Sequence, residues 1–134
     1  MPDTSTAPRA AAESVSNGSV SSEISRVMVV LTKARTGKGP TRARTYINDD
    51  LVVCLLRDGM TQVETTLLSR DNESTVGEVR RLVQSSFEEE AVASVERIME
   101  RSVISFMSSH DLHNDVAAEV FVLEPAPDEV SPDL

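Results

Sequence analysis

Apolar residues recur at helical spacing in three stretches of the chain and at strand spacing in four, and that pattern predicts most of the architecture. Ile24, Val27, Met28 and Leu31 share one face of a helix expected from about Ser22 to Arg35. Gly37 stops it, and Lys33 and Arg35 in its last turn suit the negative end of the helix dipole. Thr61-Gln62-Val63-Glu64 has the form of a capping box and opens a short helix to about Ser69, whose Val63, Leu67 and Leu68 can dock on a sheet. Thr75-Val76-Gly77-Glu78 is a second such box. It opens the longest predicted helix, to about Glu100, on a stripe of Val76, Val79, Val83, Phe87, Ala91, Val95, Ile98 and Met99.

Between the first two helices the period changes from 3.6 to 2. Arg42, Arg44 and Tyr46 alternate with Ala43, Thr45 and Ile47, Asn48-Asp49-Asp50 is a turn signal, and Leu51 to Leu56 returns as an apolar strand. A second hairpin is expected from Val103 to Ser108 and Ala117 to Leu123, joined by a polar loop from Ser109 to Asp115. The economical fold is α+β in two layers: a four-stranded antiparallel sheet from two hairpins, helices on one face, order α-ββ-α-α-ββ.

The ends do not join this pattern. Residues 1–22 are rich in Ser, Ala, Thr, Pro and Gly without apolar periodicity and read as a disordered tail; residues 125–134 read as a flexible acidic tail. A single domain over residues 23–124 remains. With 3% aromatic residues and no Trp, its core must be built from Leu, Val, Ile and Met. The long helix's stripe widens at Leu82 and Val92, more apolar surface than a small sheet covers, which predicts a homodimer through that helix or a sheet edge.

A formal charge of −9 over 134 residues disfavours nucleic acid and anionic headgroups as partners. No apolar run reaches the ~18 residues of a membrane span, and no basic-then-apolar leader is present, so a cytoplasmic protein without direct membrane insertion is expected. The lone Cys54 lies in an apolar strand, where a buried inert thiol is the natural reading.

Two segments offer candidate chemistry. Gly37-Lys38-Gly39-Pro40 followed by Arg42 and Arg44 could form an anion or partner site, with Lys38, Arg42, Arg44 and Tyr46 as its residues; the bland alternative is a helix stop and an edge strand. His110, Asp111, His113 and Asp115 fall within six residues and are weak metal candidates, with a polar turn as the alternative. No Gly-x-Ser-x-Gly elbow or Walker loop occurs, and Glu88-Glu89-Glu90 reads as a solvated helix face. No catalytic residue and no cofactor is expected.

Gly37-Lys38-Gly39-Pro40, Arg44-Thr45-Tyr46-Ile47 and Asp49-Asp50-Leu51-Val52-Val53, followed in order by Met60-Thr61, Glu64, Val79-Arg80 and Val103 to His110-Asp111, resemble the YbcI/MpsC-like family of small bacterial proteins. The resemblance spans about residues 23–124. It implies a cytosolic, non-enzymatic accessory or regulatory component of a Na+-translocating, membrane potential-generating system linked to inorganic carbon. Such a component would act by protein contacts with a membrane transport-complex subunit and could lie peripheral to the membrane through that partner. The alternative is a small anion- or metal-binding domain using the Gly37–Arg44 turn or the His110–Asp115 loop.

Overall fold

A computed structural model describes residues 8–126, with side chains from Gly18 onward. The elements are α1 (Pro8–Thr36), β1 (Arg42–Asn48), β2 (Leu51–Arg57), α2 (Gln62–Ser69), α3 (Glu73–Ser86), α4 (Glu88–Met99), β3 (Val103–Asp111) and β4 (Val116–Leu123). The fold is α+β, with four helices and an antiparallel sheet ordered β1-β2-β4-β3. Both predicted hairpins are present, and β2 and β4 pair at the centre, so β1 and β3 are the sheet edges.

The core lies between the helices and one face of the sheet. Ile24 and Met28 of α1, Phe87, and Ala91 and Val95 of α4 pack with Val52, Cys54, Leu56, Ala117, Phe121 and Leu123. Strict alternation delivers the strand residues: β2 buries every second side chain from Val52, and β4 does so from Ala117. The Phe106 and Phe121 rings meet at 5.0 Å across β3 and β4, on the same face.

Four boundaries differ from the sequence expectation. Helix α1 begins at Pro8, within the segment read as a tail. Pro suits the first helical position and Ala10-Ala11-Ala12 is strongly helix-forming, so the backbone continues where apolar periodicity does not. Of the other residues read as tail, 125 and 126 are irregular, and 1–7 and 127–134 lie outside the described ones. Helix α3 starts at Glu73 with Asn72 as its N-cap, so the Thr75 box falls inside the helix rather than at its start.

The predicted long helix is two, α3 and α4, broken at Phe87 (φ −111°, ψ 9°). No Pro or Gly marks that break. It is set by tertiary contacts: the Phe87 ring sinks into the core, and Arg35 of α1 donates to the Ser86 carbonyl (3.0 Å) and hydroxyl (3.2 Å), satisfying a carbonyl at the helix end. Finally, β3 runs to Asp111, which shortens the predicted loop to Leu112–Asp115.

The buried stripe is also rotated in α3. Val79 is 40% exposed, and Arg80 and Gln84 point inward with Val76. By contrast, the Thr61 capping box of α2 forms as expected, with the Glu64 amide donating to Thr61 Oγ1 and the Thr61 amide donating to the Glu64 carboxylate.

Candidate functional site

The inward turn of α3 assembles a buried ionic network. Arg80 Nη1 donates to both oxygens of Glu64, at 3.1 and 3.3 Å. Its Nε donates to His110 Nδ1 at 3.2 Å. A guanidinium only donates, so Nδ1 accepts and the imidazole proton sits on Nε2, which donates to Asp115 Oδ1 at 2.9 Å. Asp115 Oδ2 in turn accepts from the Met60 amide at 3.0 Å. This circuit joins the start of α2, the middle of α3, the end of β3 and the β3–β4 turn. Burial lowers the His110 pKa, the Arg80 charge adds to the shift and Asp115 opposes it. Both ring nitrogens are engaged, so the imidazole has none to present to a substrate.

Next to the network, Glu119 of β4 is enclosed on the helix side of the sheet. It accepts from the Ser108 hydroxyl and from Gln84 Nε2 (3.4 Å). Burial pushes its carboxyl up to about 7, against the opposing effect of those two hydrogen bonds and of Arg80. A cavity of about 10 Å³, the size of a single water, lies between Thr32, Arg80, Gln84, His110 and Glu119. Cys54, on the same core face, has its thiol pushed up to about 11 by burial, the state of an inert thiol.

The accessible chemistry is on the opposite side of α1. An open groove of about 930 Å³ runs between α1 and β1, and Arg26, Arg42, Arg44 and Arg57 all line it. Helix α1 is fixed there by a 2.8 Å hydrogen bond between the Ser25 and Thr45 hydroxyls. The Arg44 guanidinium lies 5.7 Å from the Tyr46 ring centroid, a cation–π arrangement that orients both. Among the described residues none of the four arginines is paired with a carboxylate.

Residues 16–125 match the family described as "Na+-translocating membrane potential-generating system (MpsC)". The chain belongs to the MpsC family. No curated protein and no solved structure matches it. None of the helices of this MpsC-family chain is long and apolar enough, among the described residues, to cross a membrane.

Three of its sequence-predicted partner residues, Arg42, Arg44 and Tyr46, come together on the groove; Lys38 does not. The Lys38 ammonium donates to the Asp58 carbonyl, its amide to Thr36 Oγ1, and the Gly37 amide to the Lys33 carbonyl. These donors of the Gly-rich turn are therefore spent within the fold. The four metal candidates diverge. His110 joins Asp115 in the network, His113 Nε2 pairs with Glu73 at 3.1 Å, and Asp111 accepts from the Asn114 amide and side chain. Among the described residues no group of three His, Cys, Asp or Glu is placed to hold a metal ion.

Sequence reasoning missed Glu64, Arg80, Gln84 and Glu119 as interior groups, and Arg26 and Arg57 as groove residues. Arg57 was readable, because strand alternation puts it on the face of Val53 and Leu55. Arg80 and Gln84 also left a trace: they continue from Val76 in steps of four.

Proposed function

We propose that this chain serves a Na+-translocating, membrane potential-generating system, linked to inorganic carbon supply, as an accessory or regulatory component. It acts from the cytoplasmic side by protein contact rather than catalysis, and the basic groove between α1 and β1 is its contact surface. Family membership supports the system; the four arginines support the surface. In a chain of net charge −9, four guanidiniums that have no carboxylate partner among the described residues create a local field of opposite sign on one concave surface. Such a patch steers and orients an acidic partner surface, and Arg and Tyr are residue types enriched at contact hot spots. The test is recovery of an integral-membrane transport subunit from native membranes by the wild-type chain and by Arg42→Ala/Arg44→Ala. Recovery by the wild type alone is expected; equal recovery by both, or by neither, overturns the assignment.

A second reading takes the same groove as a site for a small anion, because its arginines converge on one open cavity. A rise in melting temperature with phosphate or bicarbonate, lost in the double variant, distinguishes it from a protein contact.

A further inference from the structure

Among the described residues, the helices cover one face of the sheet and leave the other bare. Across the strand register, Tyr46, Val53, Val120 and Met107 form one outward row, flanked at one end by Leu51 and Val122. Tyr46 and Met107 are each 51% exposed. At the other end of the face the outward row is Arg42, Arg57, Val116 and Asp111. The surface therefore runs from apolar to charged along the strands, with cations at the β1 corner and an anion at the β3 corner.

We propose that a second copy of this chain packs on this bare face, with the two-fold axis parallel to the strands. A rotation about that axis exchanges β1 with β3 and β2 with β4 while keeping the order of the rows. Tyr46 then faces the partner's Met107, Val53 the partner's Val120, and Leu51 the partner's Val122. The same operation sets Arg42 against the partner's Asp111, twice in the dimer. The alternative in-plane axis, perpendicular to the strands, reverses the rows and sets Arg42 against the partner's Asn48 and Asp111 against the partner's Ser105, so neither charge meets its opposite. The reciprocal Arg42–Asp111 pairs thus select a second copy and its orientation, while Arg44 and Arg57 face the partner's Ser109 and Val116. The ~30° between aligned packed sheets displaces the corners by a distance that an arginine side chain spans.

Two further features fit a copy of the same chain. The chain has 22 acidic residues, yet Asp111 is the only carboxylate in these outward rows beside Arg42, Arg44 and Arg57, so the face is spared the acidic repulsion of the rest of the surface. Four strands at about 4.8 Å spacing and seven residues at about 3.3 Å rise give a face of roughly 450 Å². Two such faces bury about 900 Å² before side-chain relief is counted, close to the ~1,000 Å² at which specific interfaces begin.

The test is the solution mass of the full chain by light scattering and sedimentation, beside Met107→Glu. A mass twice the 14.6 kDa of one chain is expected, with dimer affinity reduced on the order of 100-fold by a carboxylate at the centre of the interface. Orientation is read by mixing Tyr46→Cys chains with Met107→Cys chains and adding a bis-maleimide that spans the ~10 Å between packed sheets. The mixture should give a covalent dimer and neither variant alone should. A chain that stays at 14.6 kDa overturns the proposal, as does a dimer indifferent to Met107→Glu or one in which the mixture fails to cross-link. Met107 lies outside the basic groove whereas Arg42 belongs to both surfaces, so Met107→Glu tests the dimer without removing a groove arginine.

Discussion

Arg80 Nη1 lies 3.1 Å from Glu64 Oε1, and the same carboxylate oxygen accepts the Thr61 amide that starts α2. One side chain therefore caps a helix and neutralises a cation buried beneath it, so the two tasks can be separated by substitution. Glu64→Gln keeps an acceptor for the Thr61 amide and removes the charge opposite Arg80. Leaving a buried guanidinium unpaired costs about 3–5 kcal/mol, whereas replacing both partners by neutral groups costs far less. Chemical denaturation of Glu64→Gln, Arg80→Met and the double variant should give a strongly non-additive cycle, with the double close to the milder single. Additive losses would show that the pair contributes little beyond packing.

Glu119 makes stability depend on pH in the direction opposite to an ordinary ion-paired carboxylate. Its folded pKa is raised from 4.5 to about 7, so the folded state holds the proton more tightly than the unfolded state does. The contribution is fully present below about pH 4.5 and is lost as pH rises through about 7. The full loss corresponds to roughly 3 kcal/mol. His110 works the other way. Its folded pKa is lowered, so its contribution is present above its ordinary 6.5 and is lost as pH falls through the lower folded value. Glu119→Gln isolates the carboxylate. Melting curves from pH 5 to 8 should show the variant near wild type at the acid end and more stable at pH 8; parallel curves throughout would refute the assignment.

The sheet was legible because strand alternation is strict and its first turn is short. Arg42 to Ile47 and Leu51 to Leu56 alternate on the faces the pattern predicts, and Asp49 takes the left-handed turn conformation (φ 56°) that Asp tolerates. The end of β3 was not legible. Ser109, His110 and Asp111 look like a loop, yet an edge strand with one solvated face accepts polar residues. The groove was half legible: β1 showed its arginines by alternation, but Arg26 reaches the same surface only once α1 is laid along β1. The buried network was hidden for a simpler reason. Residue type assigns Glu64, Arg80, Gln84 and Glu119 to solvent, although alternation puts Glu119 on the face of Ala117 and Phe121; each is tolerated inside only because α2, α3, β3 and β4 supply its partners.

Glu100 ends α4 in the left-handed region, at φ 57° and ψ 40°, with its amide bonded to the Glu96 carbonyl. That conformation costs a side chain with a Cβ about 1–2 kcal/mol, and glycine adopts it freely. Glu100 is exposed and its side chain makes no hydrogen bond among the described residues, so little else is lost on removing it. Against the greater chain entropy of glycine in the unfolded state, a net gain of about 0.5–1 kcal/mol is expected for Glu100→Gly. Thermal unfolding should register it as a rise of roughly 1–4 °C. A fall would mean that the Glu100 side chain has a stabilising role beyond this cap.

Arg26 separates the groove from the strand face as the contact surface. It sits on α1, sixteen positions before Arg42, and belongs with the β1 arginines only through the fold. If a partner occupies the groove, Arg26→Ala should weaken its recovery about as much as Arg44→Ala does. The expected loss is up to about fivefold for each charge, in line with exposed pairs worth ~0.2–1 kcal/mol. Added salt should erode binding by the wild type and narrow the gap to both variants, because charge screening acts on the interaction they have already lost. Undiminished recovery by Arg26→Ala beside a loss with Arg44→Ala would confine the contact to the outward face of β1. That is the edge the proposed dimer also uses, so a partner bound there and a second copy of the chain would compete.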